Sequence, residues 1–85
     1  MLGDKIKCIK AVYLINRDTL TKKDILDVDP SISPSMVNYF IDYCLRHRYM
    51  HRKKIVYKRY REYAIYEITP KGKKYFSYML KVLLA

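Results

Sequence analysis

The sequence has no tryptophan, no glutamine, two glycines, three prolines and two cysteines, and only eight of its 85 residues are acidic. Two cysteines cannot build a disulfide framework, so the fold must rest on a packed core. So few glycines and prolines leave no linker and no low-complexity stretch, and the chain reads as a single domain over residues 1–85. No uninterrupted apolar run reaches the ~18–20 residues of a membrane span. The opening Met1-Leu2-Gly3-Asp4-Lys5 turns charged at once, unlike a secretory leader, and a cytoplasmic location is expected. Catalytic signals are missing too: there is no Gly-rich phosphate loop, no paired-Cys motif and no nucleophile with a matched base. Asp24, Asp27, Asp29 and Glu67 scatter among caps, turns and a strand. No enzyme activity, cofactor or metal is expected.

What is abundant is positive charge. Eighteen Lys and Arg leave a net charge of +10, while the hydrophobic fraction of 51% is too high for a disordered basic tail. On so small a body this charge attracts polyanions. Nucleic acid is the leading partner and an anionic membrane surface the rival. Abundant Lys, Ile and Tyr without Gln suit a thermophilic source.

Helical spacing predicts a first helix over residues 4–15, with apolar positions spread wider than a monomer's surface helix needs. Thr21, followed three residues later by Asp24, caps a short helix over 22–28, buried through Ile25 and either Leu26 or Val28. Ser33-Pro34 opens a third helix over 34–48, with Val37, Phe40, Ile41, Cys44 and Leu45 on its buried face. The period then changes. Residues 49–57 and 63–69 read as two strands joined by the basic connection Lys58-Arg59-Tyr60-Arg61-Glu62. Thr69-Pro70 repeats the capping signal and opens a last helix over 70–84. The expected fold is α+β, in the order helix-helix-helix-strand-strand-helix.

Three stretches carry a resemblance. Ile32 to Ile41 is similar to the start of a recognition helix in winged helix-turn-helix regulators. Leu45 to Arg52 is similar to that helix's exit into the first wing strand. Tyr66-Glu67-Ile68-Thr69-Pro70-Lys71-Gly72 resembles the aromatic-x-aliphatic-Thr-x-x-Gly stretch of MarR-like and PadR-like proteins. Together they cover residues 20–76 or so. The resemblance implies a three-helix core, a basic β-hairpin wing and a two-fold dimer, of the kind found in small archaeal, viral or plasmid regulators. Relatives place Gly where this chain has Tyr49, which implies a third helix ending without a left-handed glycine. Many also carry Arg at the position of Tyr39, and Asp42 adds an acid one turn on.

With the apolar positions subtracted, the third helix offers Ser35, Met36, Asn38 and Tyr39 near its N-terminal end, where such helices meet base edges. Asn suits adenine, and Ser suits a base or a phosphate. Between Arg46 and Arg61, eight of sixteen residues are Lys or Arg. Tyr43, Arg46, Arg52, Lys53, Lys54 and Lys58 are candidates for phosphates, and Arg59, Tyr60 and Arg61 at the tip for the minor groove. For Tyr57 and Tyr63 cross-strand packing is the simpler expectation.

The last helix leaves Tyr75, Tyr78, Val82 and Leu84 beyond its core face, an apolar surface that soluble monomers rarely expose. With Ile9 and Tyr13 of the first helix they are the dimer-interface candidates. Cys8 and Cys44 read as small buried hydrophobes, with a disulfide as the lesser alternative. Cys44, His47 and His51 are spaced loosely like zinc ligands, but a core cysteine and a strand histidine should not converge.

The expected function is therefore sequence-specific binding of double-stranded DNA by a homodimeric transcriptional regulator, with no small-molecule effector. The alternatives are a winged-helix module for RNA or a protein partner, an architectural DNA binder, and a basic peripheral membrane protein.

Overall fold

The computed structural model describes residues 2–84, with side chains over residues 3–82. The elements run α1 (Leu2–Ile15), β1 (Thr19–Leu20), α2 (Lys22–Val28), α3 (Pro34–Arg46), β2 (Met50–Lys58), β3 (Arg61–Ile68) and α4 (Pro70–Leu84). Three helices, a hairpin and a closing helix form a winged helix-turn-helix. The strands make one antiparallel sheet in the order β1-β3-β2. Strand β1 has only two residues, too short to show any period in the sequence.

The local rules explain most boundaries. In α2 the Thr21 hydroxyl accepts from the Asp24 N–H at 3.2 Å, and the Asp24 carboxylate accepts from the Thr21 N–H at 2.8 Å, a full capping box. Ser33 caps α3 by accepting from the Met36 N–H, with Pro34 at the first helical position. Asn16 follows α1 with φ 52°, the left-handed stop that Asn tolerates.

Helix α3 ends at Arg46, two residues short of the expected 48. Its stop is a left-handed residue after all, but one position before Tyr49 and without glycine: Arg48 has φ 59°. The Tyr49 N–H donates to the Cys44 carbonyl at 2.8 Å and the Arg48 N–H to the Leu45 carbonyl at 3.2 Å, the paired bonds of a Schellman motif. A left-handed conformation costs an L-residue roughly 1–2 kcal/mol. Arg48→Gly keeps both backbone bonds and removes that cost, against some added freedom of the unfolded chain. It is expected to stabilise the domain by about 0.5–1 kcal/mol, read as a rise of a few degrees in Tm.

The hairpin is longer and tighter than the sequence suggests. Its strands run 50–58 and 61–68 rather than 49–57 and 63–69, because Lys58 pairs with Arg61 and only Arg59 and Tyr60 make the turn. Both are left-handed, with φ 50° and 66°, as a type I′ turn requires. Arg-Tyr carries none of the Asn-Gly signal that announces such a turn. Between Arg52 and Lys54 the register slips, which turns Ile55 and Tyr57 opposite Ala64 and Glu62.

The core lies between the helices and the proximal end of the sheet. It joins Cys8, Ile9, Ala11 and Val12 of α1, Ile25 of α2, Val37, Phe40, Ile41 and Cys44 of α3, Met50, Tyr66 and Ile68 of the wing, and Phe76 of α4. Leu26, not Val28, completes the buried side of α2. Beyond Met50 no residue of β2 is buried, so the distal wing projects from a body of 43 × 27 × 21 Å overall.

Candidate nucleic-acid interface

Helix α3 presents Ser35, Asn38, Tyr39 and Asp42 to solvent along one side. Asn38, Tyr39 and Asp42 line a cleft with Arg52 of β2 and Lys22 of α2. Arg52 also lines a second cleft, between α2 and the wing, with Lys22, Lys23, Ile55 and Tyr66. Helix α3 and the wing base therefore share one concave side, where Lys22, Lys23 and Arg52 outnumber Asp42 and Glu62. Lys22 and Lys23 belong to that side although the sequence reading treats them only as the start of a helix. Two lysines after a cap were the one available signal.

Two residues of the helix are placed differently from expectation. Met36 is half-buried against the core, so less of it faces solvent than of Ser35, Asn38 and Tyr39. Tyr43 is also half-buried: it packs in an aromatic group with His47, Tyr49 and Tyr75, where Tyr49 and Tyr75 stack with centroids 4.1 Å apart. The Lys5 ammonium lies 3.9 Å from the Tyr43 ring centroid. Partial burial works against the Lys5 charge, but the Tyr75 and Tyr43 hydroxyls outweigh it and raise the lysine pKa. Tyr43 thus ties α1, α3 and α4 together.

Charges on the wing differ in availability. Lys53 lies 3.5 Å from Glu67, whose other oxygen accepts from His51 at 2.8 Å. The His51 hydrogen bond chiefly, with Lys53 beside it, holds the Glu67 carboxyl below the usual carboxylate range. Arg46 is 3.6 Å from Asp42, one turn away on α3. Arg52, Lys54, Lys58, Arg59 and Arg61 make no ion pair among the described residues, and all are exposed. Tyr60 at the tip is fully exposed and Tyr57 nearly so, whereas Tyr63 is half-buried. Cross-strand packing therefore suits Tyr63 and not Tyr57.

The dimer-interface candidates divide as well. Ile9 is wholly buried in the protein's own core, because the core face of α1 runs through Cys8, Ile9, Ala11 and Val12. Tyr75 is half-buried in the aromatic group. Tyr13, Tyr78 and Val82 are exposed, and Leu14 joins them at 66% exposure. An apolar groove of about 570 Å³ runs between α1 and α4, lined by Tyr13, Leu14 and Leu80 and flanked by Lys10 and Lys81. The side chain of Leu84 lies outside the described residues.

The cysteines are free and buried. Burial pushes the Cys8 thiol up to about 11 and the Cys44 thiol up to about 12, which keeps both protonated and unreactive at neutral pH. Cys44 faces the core, His47 stacks on Tyr49 and packs tilted against Tyr43, and His51 meets Glu67, so the three do not converge.

No family model, curated protein or solved structure matches the chain. Its class rests on architecture: a generic winged helix-turn-helix domain with a basic wing. The closer kinship with MarR-like and PadR-like proteins finds no support in these comparisons. No helix among the described residues is long and apolar enough to cross a membrane.

Proposed function

We propose that the protein binds double-stranded DNA in a sequence-specific manner as a dimeric transcriptional regulator. The observation that carries this reading is the shared cleft: Asn38 and Tyr39 of α3 open onto the same side as Arg52 and Lys22. A helix that enters the major groove there brings Ser35, Asn38 and Tyr39 to base edges and the unpaired wing charges to the flanking backbone. Asp42 repels phosphates, which favours entry by the helix's N-terminal turns over a lengthwise fit; where it meets a base it accepts from cytosine. The carboxylates of Asp24 and Asp29 are taken up by a cap and a turn.

The exposed Tyr13 and Leu14, the apolar groove they line with Leu80, and the exposed Tyr78 and Val82 support a two-fold pairing through α1 and α4, since soluble monomers rarely leave so much apolar side chain to water. The test is selection of bound duplexes from a random pool, at salt high enough to suppress non-specific binding, with molar mass by light scattering. The expected result is a dimer that enriches an inverted repeat with half-sites about one helical turn apart. Retention without an enriched motif would turn the reading to an architectural binder. No retention of duplex would turn it to RNA or a protein partner.

A further inference from the structure

The wing tip is built in an unfavourable way that nothing inside the fold explains. A two-residue I′ turn accepts Asn-Gly without strain, yet here two consecutive non-glycine residues, Arg59 and Tyr60, are held left-handed. The Tyr60 side chain has a relative exposure of 109%, so no packing within the domain compensates for its backbone. Lys58, Arg59 and Arg61 around it are exposed and make no ion pair among the described residues. Strain retained without an internal return points to a partner outside the molecule.

From this geometry we infer that Tyr60 is a wedge. With the tip in the minor groove, its ring enters a base-pair step, unstacks it and bends the duplex. The proposal rests on the DNA-binding reading and adds a distortion to it. The tight turn ends the hairpin in its narrowest form and sets the exposed Tyr60 at its very end, so that the turn residues alone need enter the minor groove. Arg59 and Arg61 then meet the phosphates on either side of the opened step. Pyrimidine–purine steps unstack most readily, so selected sites carry a TA or CA/TG step where the wing falls.

The experiment uses the full chain and the duplex recovered by selection, labelled at both ends for energy transfer, with affinity titrated at several salt concentrations. Tyr60→Ser is expected to abolish the bend and to weaken binding roughly ten- to hundredfold. Because no charge is lost, the slope of affinity against salt stays that of the parent. Tyr60→Leu retains an apolar wedge and most of the bend. The double variant Arg59→Asn with Tyr60→Gly melts above the parent, since its turn is unstrained, and does not bend DNA. A Tyr60→Ser protein that binds and bends like the parent overturns the wedge and leaves DNA binding standing. A parent that binds no duplex overturns both.

Discussion

Gly72→Ala is expected to be the most damaging single change in this domain, costing about 3 kcal/mol or more. Gly72 is buried on the first turn of α4, where the helix crosses the exit of α3. A methyl group there would overlap the Tyr49 carbonyl oxygen and come within 2.8 Å of its carbon. The obstacle is backbone, which cannot rotate away as a side chain would. It is also pinned, because the Thr69 N–H donates to the Tyr49 carbonyl at 3.0 Å. The Thr69 hydroxyl donates to the Arg48 carbonyl at 2.7 Å and accepts from the Gly72 N–H, and Lys71 Nζ donates to the His47 carbonyl. Moving α4 outward to make room would break these bonds. For a domain of this size the loss corresponds to a fall in Tm on the order of 15 °C. Gly3→Ala is the control: a Cβ there meets nothing within 4 Å, and alanine in a helix favours stability by up to about 1 kcal/mol. Opposite signs in thermal unfolding are the expected outcome. A Gly72→Ala protein melting within a degree or two of the parent would mean that α4 and the Tyr49 backbone are not this close.

Neutralising the wing is expected to have the largest effect on binding. Arg52, Lys54, Lys58 and Arg61 are exposed and without ion pairs among the described residues, so their replacement by glutamine leaves the fold intact. Each phosphate contact contributes about 0.9 to the slope of log affinity against log salt. Removing four per protomer should flatten that slope by roughly three to four for each bound domain. Affinity at low salt should fall by several orders of magnitude. Lys53 serves as the comparison, because Glu67 already compensates its charge at 3.5 Å, and Lys53→Gln should change the slope least. An unaltered slope in the fourfold variant would show that the wing does not lie on the backbone. Fluorescence anisotropy over a salt series makes the measurement.

Thr69-Pro70-Lys71-Gly72 shows how a short motif joins local and long-range structure. Its threonine caps α4, as Thr-Pro suggests, but the same hydroxyl also holds the end of α3. The glycine has no positive φ, so its role is close approach and not a turn. Spacing alone identifies the helix start; only the packed structure identifies Tyr49 as the surface that excludes a side chain.

Local chemistry determined much of this protein. The order of three helices, hairpin and closing helix follows from periodicity and from the caps at Thr21, Ser33 and Thr69, because these act within a few residues of chain. The charge of the wing is likewise a matter of composition, and so is the inward face of α3 at Val37, Phe40, Ile41 and Cys44. The tertiary structure decided what depends on neighbours distant in sequence. It turned Tyr43 and Tyr75 into one aromatic group under Lys5, and it buried Ile9 while leaving Tyr13 and Leu14 outside. The register slip at Lys53 set which wing residues face α2, and Arg48, Arg59 and Tyr60 became left-handed where no glycine announced it. A residue's type sets what it prefers locally. Which of several apolar or charged positions is covered, and which backbone is held in strain, is fixed only when separate segments compete for the same space.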